Sequence, residues 1–339
     1  MKLNFYPYTI NLKEQFNISL SSRTTTPAVM VEVEHNGLIG YGEASLPPYL
    51  SEDQSSVISF LKKLNLNSFN DPANINSIMD YVDSISEGNN AAKASVDIAL
   101  HDLLGKYLNL PLYKYLGIEI KDNICSSYTI GITDLKKIKQ RVDVALEFKF
   151  LKIKLGTLND KVIVSTIRKH TDKPLFVDVN QGWSDKYFAL DMISWLSEQN
   201  VILIEQPLPK ENFEDSKWLM ERSLLPIIAD EAVQTINDLE KIKHLYSGVN
   251  IKLMKAGGIR QAYRMMQRAK ELNLKIMLGC MTETSCAITA ASHLSPLADW
   301  VDLDGAELIS NDLFTGMKIK NGALIIPDMP GLGVEKITK

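Results

Sequence analysis

The sequence predicts an α/β protein: a (β/α)7β TIM-like barrel with an N-terminal α+β capping domain that the C-terminal segment completes. Two observations predict this fold class. From residue 124 onward, eight short apolar runs rich in β-branched residues alternate with segments of helical periodicity, which indicates parallel strands joined by helices. Before residue 120, two alternating strands flank the turn dipeptide Asn36-Gly37, which is typical of an antiparallel hairpin.

The expected domain organisation has three parts. Residues 1–120 form the capping domain, residues 121–310 form the catalytic barrel, and residues 311–339 are a Gly- and Pro-rich segment that returns to the capping domain. Helical patterns in the capping domain lie at about 51–64, 74–86 and 90–108. No G-x-G-x-x-G motif follows the first barrel strand, which argues against an open sheet that binds a dinucleotide.

Composition excludes several classes of protein. A net charge of -4 and the lack of a basic block interleaved with aromatic residues argue against a nucleic-acid partner. No stretch approaches the roughly 18 apolar residues of a membrane span, and no signal peptide is recognisable, so we expect a cytoplasmic protein without a membrane partner. Cys125, Cys280 and Cys286 are widely spaced and are expected to be free thiols. A small-molecule ligand is therefore expected, and the oligomeric state stays open, a homo-oligomer included.

Charged residues recur in the barrel strands at intervals of about 25 positions, roughly once per strand and helix. In "FLKIKLG", Lys152 and Lys154 lie two positions apart and therefore point to the same face of the second strand. A lysine pair of this kind usually marks a solvated strand edge. Because both faces of a barrel strand are covered and barrel active sites form at the carboxyl ends of the strands, we interpret these lysines as site residues.

Three acidic residues predict a metal site. Asp178, Glu205 and Asp230 belong to the third, fourth and fifth strands, which are neighbours in a barrel. For any one of them alone, a helix cap or a core salt bridge is the simpler explanation. Together, three carboxylates would repel one another unless a cation neutralised them, and oxygen ligands favour a hard ion. The sequence therefore predicts that they bind Mg²⁺.

Two lysines are predicted to act as bases. The second and sixth strands of an eight-stranded barrel lie opposite each other, so we expect Lys154 and Lys255 to face one another across the site. One amine could remove a proton from a substrate while the other returns a proton on the opposite face. Lys152, nearer the barrel interior, is expected to bind a substrate carboxylate and to tune Lys154.

The segments "KIK", "DVN", "IEQP", "ADE" and "KLMKAGG", in this order, resemble the enolase superfamily, in particular its muconate-lactonizing subgroup. The resemblance covers essentially the whole chain, and "GCMTETS" and "DLDG" are similar to segments of the dipeptide epimerases. It implies that Asp302 and Asp304 bind the α-ammonium of a dipeptide, an arrangement with which their place on the eighth strand, opposite the fourth, agrees. It also implies that Thr129 and Glu283 contact the substrate, and that Arg23, in a mobile capping loop, contacts the side chain of the second residue.

The activity implied by the resemblance is that of a Mg²⁺-dependent dipeptide epimerase. Such an enzyme inverts the α-carbon of the C-terminal residue of an L-Ala-L-Xaa-type dipeptide by two-base 1,1-proton transfer through a metal-stabilised enediolate. One alternative is an o-succinylbenzoate synthase, an N-acylamino acid racemase or a cycloisomerase of the same subgroup. A non-catalytic small-molecule-binding barrel is the alternative from another class, and the presence of both lysines and all three carboxylates argues against it. The identity of the dipeptide stays open.

Overall fold

The computed structural model describes residues 1–19 and 21–338 of the chain. The chain begins with a three-stranded antiparallel sheet. The strands are β1 (Lys2–Ile18), β2 (Ser21–His35) and β3 (Leu38–Ser45). Asn36 and Gly37 join β2 to β3 with φ angles of 50° and 79°, and a type I′ turn requires positive φ at both of these positions. The predicted hairpin is confirmed.

Four helices pack beside this sheet. They are α1 (Gln54–Leu61), α2 (Ile75–Ser84), α3 (Asn90–Leu108) and α4 (Leu112–Tyr115). The central helix α3 is buried on all sides between residues 91 and 105, because it lies between the sheet and the barrel. Gly42 of β3 allows this close approach, since a Cβ atom there would lie 1.9 Å from the carbonyl oxygen of Ser95.

Eight parallel strands form the barrel, and each predicted apolar run contains one of them. They are β4 (Ser127–Ile130), β5 (Phe150–Lys154), β6 (Leu175–Asp178), β7 (Val201–Glu205), β8 (Ile227–Ala229), β9 (Gly248–Ile251), β10 (Lys275–Gly279) and β11 (Trp300–Asp302). Neighbours in this order are hydrogen-bonded, and a parallel bridge between Ser126 and Val301 joins the first strand to the last. The predicted barrel is confirmed.

Helices cover the outside of the barrel. They are α5 (Ile138–Val144), α6 (Asp160–Arg168), α7 (Lys186–Ser197), α8 (Phe213–Met220), α9 (Ile236–Ile242), α10 (Leu253–Ala256), α11 (Ile259–Glu271) and α12 (Ser285–Ser292). Several begin as their sequences suggest: Asp185, for example, caps α7 by accepting from Phe188 N at 2.7 Å. Among residues 1–19 and 21–338, no helix has the length and apolar composition needed to cross a membrane.

Three residues predicted on barrel strands lie just beyond them, and the first is Asp230, which follows the last residue of β8. Lys255 was expected on the sixth barrel strand, but β9 ends at Ile251 and Lys255 belongs to the helical turn α10. The chain leaves the barrel one residue after β9, and Gly257, with φ 93°, ends the turn. Likewise β11 ends at Asp302, so Asp304 lies in the following turn.

The C-terminal segment contacts the capping domain. Its short strands are β12 (Phe314–Thr315), β13 (Lys318–Lys320), β14 (Ala323–Ile325) and β15 (Glu335–Lys336), paired as β12 with β15 and β13 with β14. Leu112 N donates to Gly331 O, and Leu332 N donates to the buried carboxylate of Asp102 on α3, both at 2.9 Å. These contacts agree with the expected return, while the boundaries near residues 120 and 310 stay a prediction.

Candidate active site

Three carboxylates lie together at the carboxyl ends of adjacent barrel strands. Asp178 ends β6, Glu205 ends β7, and Asp230 follows β8 directly. One oxygen from each lies within 4.8 Å of the others, and all three residues are buried. This is the geometry in which oxygen ligands from neighbouring strands converge on one ion.

The electrostatics of this cluster fit a divalent cation. Glu205 Oε2 is buried and accepts no hydrogen bond, although Lys152 Nζ lies 2.8 Å away. Burial and the charge of Asp178 raise the pKa of Glu205 to about 8, whereas Lys154 and Lys152 outweigh the burial of Asp178 and hold its pKa near 2. A buried carboxylate with an unpaired oxygen beside two more carboxylates suits the hard ion Mg²⁺.

Lys154 and Lys252 line one cavity, together with Lys152 and Asp230. Lys154 Nζ lies 2.6 Å from Asp178 Oδ2 and 3.1 Å from Asn180 Oδ1. Lys252, the first residue after β9, places its Nζ 2.8 Å from Asp230 Oδ2. Since β5 and β9 are the second and sixth of the eight strands, the two amines approach the cavity from opposite walls of the barrel.

Lys255 occupies a different position from the one predicted for it. Its Nζ donates to Asp230 Oδ1 at 2.6 Å, to Asp230 O at 2.7 Å and to Asn250 O at 3.0 Å, so all three ammonium protons have acceptors. Lys255 does not line the cavity that contains Lys154. The geometry favours Lys252 as the lysine that faces Lys154, and it leaves Lys255 as a support for the Asp230 carboxylate.

The acidic pair after the eighth strand also lines the cavity. Asp302 Oδ1 accepts from Ser127 Oγ at 2.6 Å, and its Oδ2 accepts from Lys152 Nζ at 2.8 Å. Asp304 Oδ2 accepts from Thr129 N at 2.6 Å, and burial together with Asp302 raises the pKa of Asp304 to about 7. Among residues 1–19 and 21–338, no cationic side chain forms a salt bridge with Asp304, whereas Lys152 forms one with Asp302.

Lys152 also lines the cavity, and acidic side chains surround its ammonium. Its ammonium contacts Asp178, Glu205 and Asp302 at 2.8 to 3.1 Å. Burial opposes its charge, but Asp302 and Glu205 outweigh burial and hold its pKa well above the usual range. Its prediction as a ligand for a substrate carboxylate stays untested, and the contacts show a cation that balances three acids.

The capping domain contributes a guanidinium to the same cavity. Arg23 of β2 lies between two aromatic rings, 5.1 Å from the centre of Phe16 and 5.8 Å from that of Tyr49. Arg23 Nη1 is buried, and no residue that the structure describes accepts a hydrogen bond from it. An unpaired donor beside the site suits an acceptor from a bound molecule.

The structure brings most of the predicted site residues together. The cavity is lined by Arg23, Thr129, Lys152, Lys154, Asp230, Asp302 and Asp304. Glu283 is not among the lining residues: it is buried, its Oε1 has no partner, and burial followed by the charge of Glu43 raises its pKa to about 8. Lys252, which also lines the cavity, was not among the predicted site residues, although its place at the start of "KLMKAGG", directly after an apolar run, was a usable signal.

Two family models match the chain. Residues 5–117 match the N-terminal domain of mandelate racemase and muconate lactonizing enzyme, and residues 135–337 match the enolase C-terminal domain-like family. The chain belongs to the enolase superfamily. The resemblance read from the sequence is therefore confirmed.

Members of the enolase superfamily with several substrates resemble this chain. L-Ala-D/L-Glu epimerase of Bacteroides thetaiotaomicron is 50% identical over 339 residues, which cover 99% of this chain and 88% of that protein. The structure of dipeptide epimerase from Enterococcus faecalis V583, complexed with Mg and the dipeptide L-Leu-L-Tyr, is 31% identical with a TM-score of 0.88, and 98% of each chain is covered. N-succinyl Arg/Lys racemase of Bacillus cereus ATCC 14579 is 28% identical with a TM-score of 0.91, and 99% of this chain and 95% of that one are covered.

Fold similarity within the enolase superfamily does not select a substrate, because both solved structures superpose on this chain to the same degree. The side chains above the carboxylate cluster must therefore decide what is bound. In this chain they include the acidic pair Asp302 and Asp304 and the guanidinium of Arg23.

Proposed function

We propose that this chain is a Mg²⁺-dependent dipeptide epimerase that inverts the α-carbon of the C-terminal residue of an L-Ala-L-Xaa dipeptide. The observation that carries the proposal is that Lys154 and Lys252 enter one cavity from opposite barrel walls, above the carboxylate cluster and beside Asp302 and Asp304. The relative that is 50% identical bears the name L-Ala-D/L-Glu epimerase, which supports it.

Asp178, Glu205 and Asp230 would hold the metal. A bound Mg²⁺ supplies positive charge beside the substrate carboxylate, where negative charge develops when the α-proton leaves. The residues of the chain position the substrate and move the protons.

Proton transfer falls to the two lysines. The α C–H bond breaks, its electron pair stays with the substrate, and the proton passes to the neutral Nζ of one lysine. The ammonium of the other lysine then gives a proton to the opposite face of the α-carbon, which inverts it. Lys154 and Lys252 exchange these roles when the epimer of opposite configuration is the substrate.

The acidic pair would bind the free N-terminus. β7 and β11 are the fourth and eighth strands and lie across the barrel from each other, so a ligand with its carboxylate near Glu205 extends toward Asp302 and Asp304. A dipeptide is a zwitterion of this kind. Because the buried Asp304 carboxyl forms no salt bridge with any cationic side chain of the described residues, an ammonium would restore its charge balance.

Arg23 would select the side chain of the second residue. Its unpaired Nη1 and its position between Phe16 and Tyr49 suit a carboxylate at the end of a short aliphatic chain. We therefore propose L-Ala-L-Glu as the substrate. An N-succinylated amino acid is disfavoured, because its second carboxylate would approach the Asp302 and Asp304 pair.

The test is proton exchange with solvent. Incubation of L-Ala-L-Glu with the Mg²⁺-loaded protein in D₂O should give L-Ala-D-Glu and one deuterium per molecule, by chiral chromatography and mass spectrometry. N-acetyl-L-Ala-L-Glu is the matched control and should turn over far more slowly. Equal turnover of the acetylated compound would overturn the dipeptide assignment, and no deuterium in either compound would overturn the epimerase assignment.

The proposal also extends to the location, the partners and the domain boundaries of the protein. We propose that the protein acts in the cytoplasm on a small molecule without a nucleic-acid partner, because its net charge is only -4. We also propose that the capping domain ends near residue 120 and the barrel near residue 310. The oligomeric state stays open.

A further inference from the structure

Two buried threonine hydroxyls hold the guanidinium of Arg23, and the mechanism above gives them no role. Arg23 Nε donates to Thr26 Oγ1 at 3.2 Å, and Arg23 Nη2 donates to Thr282 Oγ1 at 3.5 Å. The hydroxyl oxygens of Thr26 and Thr282 are 2.7 Å apart, so one of them donates to the other. Thr26 lies on β2 and Thr282 follows β10, so the pair joins the capping domain to the barrel.

This hydroxyl pair is dry and fixed. Thr26 is fully buried and Thr282 is 3% exposed, so water does not compete for their hydrogen bonds. Ser45 Oγ donates to Thr282 O at 2.8 Å and fixes the backbone of the barrel loop against β3. The guanidinium plane of Arg23 is thus set by groups from both domains rather than by its own flexible side chain.

Arg23 and the two threonine hydroxyls have more hydrogen-bond donors than they use among themselves. The two hydroxyls carry one hydrogen each, and the bond between them uses one. Both oxygens already accept from Arg23, so the second hydroxyl hydrogen is left over. Thr282 and Arg23 line the cavity, and Arg23 Nη1 is unpaired. The group therefore presents the free N–H donors of Arg23 to the cavity, and a carboxylate can accept from them.

We propose that Thr26 and Thr282 are positioning residues that make the enzyme selective for dipeptides with an acidic second residue. The proposal rests on the proposed function. The two hydroxyls hold the guanidinium so that Nη1 meets the side-chain carboxylate. A neutral substrate side chain offers no carboxylate to the guanidinium. The binding of such a substrate should therefore not depend on Thr26 and Thr282.

The experiment compares Thr26→Val and Thr282→Val in the Mg²⁺-saturated, full-length enzyme. Valine keeps the shape of threonine and removes the hydroxyl. For L-Ala-L-Glu we expect KM to rise about three- to tenfold in each variant, the effect of losing one hydrogen bond, with kcat changed less than about twofold. For L-Ala-L-Met, which has a neutral side chain of similar length, neither constant should change.

Two controls accompany these variants. Thr282→Ser restores the hydroxyl and should restore the KM for L-Ala-L-Glu. Thr25→Val makes the same change at an exposed neighbour on β2 and should leave KM unaltered. Variants that lose kcat on both dipeptides, or that keep the original KM for L-Ala-L-Glu, would overturn the positioning role.

The outcomes separate the two proposals. If the unaltered enzyme epimerises neither dipeptide, the proposed function fails and the inference fails with it. If the unaltered enzyme prefers L-Ala-L-Glu and the Thr→Val variants keep that preference, the inference alone fails.

Discussion

At the residue scale, two lysines three positions apart have different surroundings. Lys252 leaves β9 and reaches the cavity, where it contacts one oxygen of Asp230. Lys255 makes three hydrogen bonds behind the same carboxylate. A proton-transferring amine must meet the substrate, whereas a residue that orients a metal ligand must not move. The two substitutions should therefore have different effects.

Replacing Lys252 with Met should lower the rate of epimerisation in both directions. The expected loss is about 10²- to 10⁴-fold, the usual contribution of a general acid or base. Exchange of the α-hydrogen in D₂O should persist from one epimer only, the one whose proton faces Lys154. Chiral chromatography with mass detection measures both quantities. A variant that interconverts the epimers normally would contradict the two-base scheme with Lys252.

Replacing Lys255 with Met should instead weaken Mg²⁺ binding, by about 10- to 100-fold, because Asp230 loses the group that orients it. Isothermal titration calorimetry measures the dissociation constant directly. Exchange from both epimers should return at high Mg²⁺ concentration. If exchange from one epimer stays absent at saturating Mg²⁺, Lys255 is the second base after all, as the sequence first suggested.

At the element scale, the last residue of β11, Asp302, and Asp304 in the turn that follows both line the cavity. The double variant Asp302→Asn/Asp304→Asn keeps their size and removes their charge. We expect kcat/KM for L-Ala-L-Glu to fall about 10- to 100-fold, since a charge-assisted hydrogen bond to an ammonium contributes about 1.5 to 3 kcal/mol. Turnover of N-acetyl-L-Ala-L-Glu serves as the control and should not fall further. An unchanged kcat/KM would contradict the role of the pair.

Much of the carboxylate cluster could be predicted because strand and helix alternate in a barrel, so equivalent residues recur at a regular spacing along the chain. One acid at the end of each of three successive strands was enough to identify Asp178, Glu205 and Asp230 as neighbours. The exact end of a strand could not be predicted, because the spacing of charged residues does not determine where the chain turns away from the barrel. For this reason Lys255 was predicted on the sixth strand, whereas that strand ends at Ile251 and Lys252 follows it directly.

Contacts between distant segments could not be predicted either. Thr26 and Thr282 are 256 positions apart, and only the docking of the two domains brings their hydroxyls together. The resemblance implies that Glu283 contacts the substrate, and this stays a prediction; in the structure its side chain is buried near Glu43 of the capping domain. Its orientation depends on packing between β3 and the loop after β10.

At the scale of the whole molecule, the carboxylate cluster links metal binding to stability. Glu205 Oε2 is buried and accepts no hydrogen bond from the described residues, although Lys152 Nζ lies 2.8 Å away. Mg²⁺ at about 100 times its dissociation constant should stabilise the folded protein by about 2.7 kcal/mol. A rise in Tm of a few degrees follows, measurable by calorimetry and reversed by a chelator. In Asp230→Ala, Mg²⁺ should leave Tm unchanged, and an equal rise there would place the ion elsewhere.

Acid should loosen the C-terminal segment through His293. Its Nε2 lies 3.0 Å from Leu332 O, its Nδ1 is buried without a partner, and burial lowers its pKa from 6.5 to about 4. The unfolded chain therefore binds the extra proton first, so the stability from neutral His293 is complete above pH 6.5 and is lost as the pH falls toward 4, about 3 kcal/mol in all. Denaturant titrations should show a smaller acid loss in His293→Gln. Equal losses in both proteins would contradict this.

The hydrogen bond between Leu332 and Asp102 also sets an order of events during synthesis. Asp102 is fully buried in the helix that forms the centre of the capping domain, yet one of its partners lies 230 residues further along the chain. At ribosomal rates of about 5 to 20 residues per second, those residues take about 10 to 50 s to be made. The capping domain is thus translated first and completed last, and throughout that interval a nascent chain carries an unfinished domain for chaperones to bind.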